Sequence, residues 1–372
     1  MDMGSLPPDI MFEILVRIPA TVLIPLKCVC KLWLNLISDR TFADAHFRRT
    51  KSQPGIINQR SECDELSYLS LNSDRKGVTV RVYRLSLYPE PYWGEMLGSA
   101  FSVLASCNGL LLLGGPCTGY LRLAVCNPIT QSSMIIPAPP FTFATYSWAL
   151  VHDDSIRKYK VICMKKHDIY TPLALRSNFQ HTERCYAFTL GCSSSWRWLV
   201  TSHQIDSILS VCVSENGKLH WLAKFQQDGK TFKELEWCLY SMDIATEIFK
   251  KTPCPLYPRK SKLCLLEMNG SLYCTVGSSE QIGIWVLKDG DPMVWVKHHT
   301  IILCATPLCS GNMFVPILMT DSLYPQGTTK LIMWHSKLFF SYDLQSKVMT
   351  PTTFRSIFPF FVVHVNSLVH CC

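Results

Sequence analysis

Six short stretches of this chain share one shape, and their spacing constrains the fold more than any other feature. In each, a strand rich in aromatic or aliphatic residues runs into a polar turn, and a second strand leaves it. They are YLSLNSDRKGVTV, AVCNPITQSSMIIP, YAFTLGCSSSWRWLV, YSMDIATEIFKKTP, IWVLKDGDPMVWVK and FSYDLQSKVMTP. Superposing them puts Leu71, Asn127, Thr189, Asp243, Leu287 and Asp343 at one position, with gaps of 56, 62, 54, 44 and 56 residues. That is close to the roughly 50-residue period of β-propeller blades. Six marks therefore predict a mainly β chain with a six-bladed, β-propeller-like body. The alternative is a large β-sandwich, which needs no regular period.

The strands themselves are β-branched and aromatic runs cut by Gly, Pro, Asn and Asp, beginning after about residue 54. Asn269-Gly270-Ser271 reads as a turn between two of them. The second blade is complete within 101–139, as FSVLASC, GLLLLGG, RLAVC and SMIIP. VVHVNSLVHC (362–371) resembles the first of these strands with nothing after it. Residues 55–88 supply the other three, with nothing comparable before them. Unpaired sheet edges are what propellers avoid. The C-terminal strand is therefore expected to join the N-terminal ones in one shared, buried blade.

Residues 6–47 follow a different rule. LPPDIMFEILVRIP opens on two prolines, with Asp9 and Glu13 in the first turns where the helix dipole favours negative charge. Ile10, Ile14, Leu15 and Ile18 recur at helical spacing. Pro19 ends this helix, Thr21 can cap a second through Cys28, and Val29 to Ser38 gives a third. Three short helices bury too little apolar surface to be comfortable alone. Such a unit needs a partner.

Composition narrows the function classes. With 48% apolar and 17% charged residues, most of the chain is expected to be folded. No apolar run reaches the roughly 18–20 residues of a spanning helix, and the N-terminus lacks a basic segment followed by an apolar one. A protein of the cytoplasm and/or nucleus, without a membrane partner, is expected. The 18 cysteines contain no Cys-x-x-Cys pair and read as small buried hydrophobes rather than zinc ligands or disulfides. The net charge of +8 is dispersed: residues 1–50 carry six Lys+Arg against five Asp+Glu. Nucleic-acid footprints concentrate their charge, so no nucleic-acid partner is expected.

LPPDIMFEILVRIPATVLIPLKCVCKLWLNLISDRTFADAHF (6–47) closely resembles an F-box of the plant type. The Leu-Pro start, Glu-Ile-Leu, Arg-Ile-Pro, Val-Cys-Lys-x-Trp, Leu-Ile-Ser and terminal His-Phe occur in order without a gap. ASCNGLLLL (105–113), CNPIT (126–130), IWVLKD (284–289) and WVKHHTI (295–301) are similar to the F-box-associated domain of the same family. The resemblance implies an F-box at 1–50 and a substrate-recognition domain at 51–372. It further implies the substrate-receptor subunit of an SCF-type ubiquitin ligase, non-catalytic and without cofactor or metal. Its F-box would dock on a Skp-type adaptor, and through it on a cullin and a RING subunit, to bring in a target protein. The matching adaptor-binding positions are Leu6, Pro7, Ile14, Leu15, Val29, Cys30 and Trp33. The sequence departs from the family at Val22, where a small polar residue is more usual.

Galactose-oxidase-like and glycan-binding propellers are the alternative. The first needs a copper held by His and Tyr, yet His152, His167, His181, His203, His220 and His335 are scattered. His298-His299, adjacent on a strand, are expected to face opposite ways. No nucleophile–base or phosphate-loop motif is present. For the second, Trp196 and Trp198, like Trp285 and Trp295, are expected to pack between blades rather than stack on sugars. The recognition surface is expected on the longer loops at 165–183 and 224–236 and at Tyr257-Pro258-Arg259-Lys260.

Overall fold

Six antiparallel sheets succeed one another along the body, a six-bladed β-propeller. The computed structural model describes residues 7–50, 54–59, 66–74, 77–85, 101–117, 120–140, 146–165, 185–201, 205, 207–208, 212–226, 235–255, 257–258, 261–288, 290, 293–303, 313–321, 328–356 and 361–371. The first sheet holds β1 (Gly55–Gln59), β2 (Leu66–Asp74) and β3 (Gly77–Leu85). The second is β4 (Ser102–Cys107), β5 (Leu110–Cys117), β6 (Tyr120–Asn127) and β7 (Ser132–Ile136). The third is β8 (Tyr146–Asp153), β9 (Lys158–Lys165), β10 (Cys185–Thr189) and β11 (Arg197–Leu199). In the fourth, β12 (Ser207–Ile208) and β13 (Val213–Glu215) both pair with β14 (Lys218–Gln226), and β15 (Leu235–Asp243) and β16 (Phe249–Pro253) complete it. The fifth is β17 (Lys262–Met268), β18 (Ser271–Gly277), β19 (Gln281–Lys288) and β20 (Val294–Ile302). The sixth is β21 (Val315–Asp321), β22 (Thr329–His335), β23 (Leu338–Asp343) and β24 (Met349–Arg355). Separate sheets exclude the sandwich alternative.

The repeat in the sequence has a physical origin. The superposed positions all lie in or at the end of the third strand of a sheet. At three of them a side-chain oxygen caps the next turn. Asn127 Oδ1 accepts the amides of Ile129 and Thr130, at 2.8 and 3.3 Å. Asp243 Oδ1 accepts those of Ala245 and Thr246, at 3.2 and 2.8 Å. Asp343 Oδ1 accepts those of Gln345 and Ser346, both at 2.9 Å. Four residues after each cap the backbone turns left-handed, at Gln131, Glu247 and Lys347 (φ 58°, 60° and 58°). Asn108-Gly109, Asn216-Gly217 and Asn269-Gly270 have positive φ at both residues and join first strands to second ones, as a two-residue hairpin requires.

The shared blade is observed. β25 (Phe361–His364) pairs antiparallel with β1, Gly55 opposite His364 and Asn58 opposite Phe361, giving the order β25-β1-β2-β3. The last strand thus fills the first position of the first sheet. His364 is buried there, its Nδ1 2.8 Å from Ser106 Oγ, and burial holds its imidazole down to about 3.

Two compact units emerge from the packing. One holds the helical head, most of the first two sheets and β25; the other is formed essentially by the remaining four sheets. In the latter, apolar clusters lie between the third and fourth, fourth and fifth, and fifth and sixth sheets. A buried ion network ties the third sheet to the fourth. Lys160 Nζ meets Asp153 Oδ2 at 2.7 Å, Glu247 Oε1 at 3.1 Å and the Ile244 carbonyl at 3.0 Å. Arg197 closes on both oxygens of Glu247 at 2.7 and 2.6 Å. Burial pushes Asp153 and Glu247 up, but the hydrogen bonds they accept outweigh it and leave both below the ordinary carboxylate range.

Two local expectations are corrected. Trp198 is 54% exposed, because β11 is the three-residue edge strand of its sheet. Trp196 is half-buried against Trp148 and Phe188, whereas Trp285 and Trp295 pack on the cluster between the fourth and fifth sheets as expected. His298 and His299 do not face opposite ways. A bulge in the β19–β20 pairing brings them to Tyr273 and Tyr342, two members of one cluster.

Lys160→Met leaves the buried Asp153 and the half-buried Glu247 with one partner fewer and should cost about 3 kcal/mol, read as a lower urea midpoint at pH 7. Acid acts separately on His364. An unfolded histidine takes its proton near 6.5 and the folded one only near 3. The unfolded chain therefore binds more protons between those values. Stability is full above about pH 6.5 and should fall by up to ~1.4 kcal/mol per pH unit below it. Urea midpoints at pH 7.5 and 5.0 test this, and the difference should shrink in His364→Gln.

Candidate docking surface

The helical head presents four helices, one more than the sequence pattern implied. α1 spans Pro8–Leu15, α2 Ala20–Leu26, α3 Lys31–Ser38 and α4 Arg40–Thr50. Pro7 stands at the N-cap of α1 and accepts the Met11 amide at 3.1 Å. Pro19, not Thr21, precedes α2, and no side chain caps it. The additional helix starts at Asp39, whose carboxylate accepts the amides of Thr41 and Phe42 at 2.8 and 3.3 Å and the Thr41 hydroxyl. Those bonds, the Thr41 hydroxyl first, hold Asp39 below its ordinary value. Ser38-Asp39-Arg40-Thr41 is a readable helix start, hidden because the same residues also close the third helix.

One face of the head is a core. Leu15, Leu23, Ile37 and Phe42 are fully buried or nearly so, and Phe12 meets Phe42 edge-on at 5.2 Å. His46 Nε2 lies 2.9 Å from the Ile18 carbonyl, tying α4 to the exit of α1, and burial lowers the affinity of this ring for a proton. The core does not stop at the head: it runs on through Ile57, Tyr68, Leu111, Leu113 and Ile129 of the first two sheets. The head is therefore seated on those sheets rather than hung from them.

Outside that core the head keeps several apolar side chains exposed. Ile10, Ile14, Val22, Val29, Leu32 and Leu34 are 45–60% exposed, six of the sixteen large exposed apolar residues among the described residues, within 25 positions. The Glu13–Arg17 pair beside them, 3.5 Å apart and solvated on both sides, adds less than about 1 kcal/mol. Such a density of exposed apolar surface on a small unit marks an interaction site.

The residues named from sequence divide accordingly. Pro7, Ile14, Val29 and Cys30 are exposed, Val29 most of all at 60%. Trp33 is half-buried and packs on the head's core. Leu15 is corrected: at 0% exposure it belongs to the core, because it lies about 100° around the helix from Ile14. Leu6 lies outside the described residues, as do residues 166–183, 227–234, 259 and 260 of the expected recognition loops. Ile10, Val22, Leu32 and Leu34 are exposed apolar residues that sequence reasoning does not single out for docking. The i, i+4 pair Ile10–Ile14 is the available signal, obscured when Leu15 and Ile18 are counted on the same stripe.

Fold and surface together define a class: a small helical docking unit joined to a β-propeller body. Residues 61–358 match the model of the F-box associated beta propeller domain and residues 3–43 that of the F-box domain. The chain belongs to the F-box proteins that carry this F-box associated beta propeller domain. F-box protein At5g65850 of Arabidopsis thaliana is 24% identical, covering 80% of this chain and 71% of the relative. From the same plant, F-box protein At3g25460 is 29% identical over 82% of this chain and 80% of its own. TolB from Acinetobacter baumannii aligns at a TM-score of 0.43 and 8% identity, covering 84% of this chain and 67% of that one, a likeness too loose to bear on function.

The two faces should separate in mutagenesis. Leu15→Ala should cost about 2–5 kcal/mol of stability, whereas Ile14→Ala and Val29→Ala should each stay within about 0.5 kcal/mol, all read from urea midpoints.

Proposed function

We propose that this chain is the target-binding subunit of an SCF-type cullin-RING ubiquitin ligase in the cytoplasm or nucleus. The head lays its exposed apolar face on a Skp-type adaptor, which connects it to a cullin and a RING subunit. The body binds a target protein and holds it for ubiquitination; the ubiquitin chemistry belongs to other subunits. The observation that carries this reading is the set of exposed apolar side chains on the F-box itself. Six exposed aliphatic side chains on a domain of this family are suited to a partner's groove, where short helices contribute anchors at one-turn spacing. Burying roughly 30 Å² more of each at about 25 cal/mol per Å² gives about 0.75 kcal/mol apiece, so several must act together.

The test is a binding measurement with a purified Skp-type adaptor. Ile14→Asp and Val29→Asp should each weaken binding by tenfold or more (~1.4 kcal/mol) with the melting temperature unchanged. Adaptor binding that survives the double variant, or deletion of residues 1–50, would refute the reading. Recovery of adaptor and cullin with the wild-type chain from proteasome-inhibited cells, and their loss with the double variant, would support it.

A further inference from the structure

Residues 365–371 continue from β25 and form no strand, yet they are held at several points. Leu368 is 2% exposed and sits in the core that contains Leu15 and Leu23 of the head and Leu111 and Ile129 of the second sheet. Ser367 Oγ donates to the Asn108 carbonyl at 2.6 Å. Cys371 is buried, its thiol 3.4 Å from the Ser132 carbonyl. His370 lies close enough to Lys27, at the end of α2, for that ammonium to add to the effect of burial in lowering its proton affinity. Gly109 shows how close the approach is: a Cβ there would stand 2.0 Å from Ser367 Oγ.

Asn127 makes the strongest connection. Its Oδ1 caps the turn after β6, the task that Asp243 and Asp343 perform in their own sheets. Its Nδ2, which an aspartate lacks, donates to the carbonyls of Ser367 and Val369 at 3.0 and 2.6 Å. The capping position of the second sheet thus differs from the other two by the atom that grips the C-terminal segment.

We infer that residues 365–371 are a wedge that fixes the F-box head on the first two sheets, latched by Asn127. The segment fills the junction where head and sheets meet, so removing it opens the core beneath α1 and α2 while leaving distant blades intact. The inference goes beyond the proposed function and does not depend on any adaptor.

Asn127→Asp tests the latch directly, since it retains the turn cap while removing both donated bonds and facing a carboxylate to two carbonyls. Leu368→Ala tests the wedge without touching that turn. The measurement is hydrogen exchange by mass spectrometry on the full chain at pH 7. In both variants, amides of 365–371 and of α1 and α2 should lose protection by about tenfold or more, while those of β21–β24 keep wild-type rates. Two results would overturn the inference. One is a C-terminal segment that exchanges freely over a head protected as in wild type. The other is protection lost equally from every sheet, which would make the segment part of global stability only.

Discussion

A sheet cannot leave its first position empty without exposing a row of backbone donors and acceptors, and in this chain that position is filled from the far end. The pairing of Gly55 with His364 closes a loop of about 300 residues. Everything at the head end depends on it. β25 fills the first position of the first sheet, places His364 against Ser106 and delivers residues 365–371 to the junction with the helices. Loop-closure entropy grows only slowly with length, so the arrangement is thermodynamically cheap once other sheets have formed. It is costly in time, because contacts of such separation form late.

How far the sequence can be read depends on which interactions are local. The blade repeat is legible because each mark is a turn. Asn127, Asp243 and Asp343 cap backbone amides two and three residues on, so their chemistry lies within a few residues. The shared blade is legible for another reason: a first sheet one strand short and an unmatched strand at 362–371 have one economical solution. The helical head is legible as a resemblance, and its helices from their prolines and spacing. Leu15 escapes such reading because in an eight-residue helix two adjacent residues can serve opposite faces, and a one-letter pattern counts both as apolar. Trp198 escapes it for a related reason: alternation says which side of a sheet a residue takes, not whether anything covers that side at an edge strand.

The head also shows why resemblance and geometry are complementary. A family pattern fixes residue types without separating those that hold a domain together from those that meet a partner. Exposure divides the head's apolar residues: Ile14 and Val29 outward, Leu15 and Ile37 inward, Trp33 between. The continuity of that inner face with Leu111 and Ile129 also explains how a head of four short helices is stable, since it borrows its core from the sheets below.

The position of Leu368 has a consequence for how the protein is made. Translation produces the head early and this residue of its core some 350 positions later. At ribosomal speeds of about 5–20 residues per second, that separation lasts roughly 20–70 seconds. Throughout it the outer side of the head awaits a partner, and the inner one is covered only by the first two sheets, without β25 and residues 365–371. A newborn chain is therefore most exposed to aggregation and to quality control in the part that is synthesised early, and it is relieved only when the last strand has emerged from the ribosome.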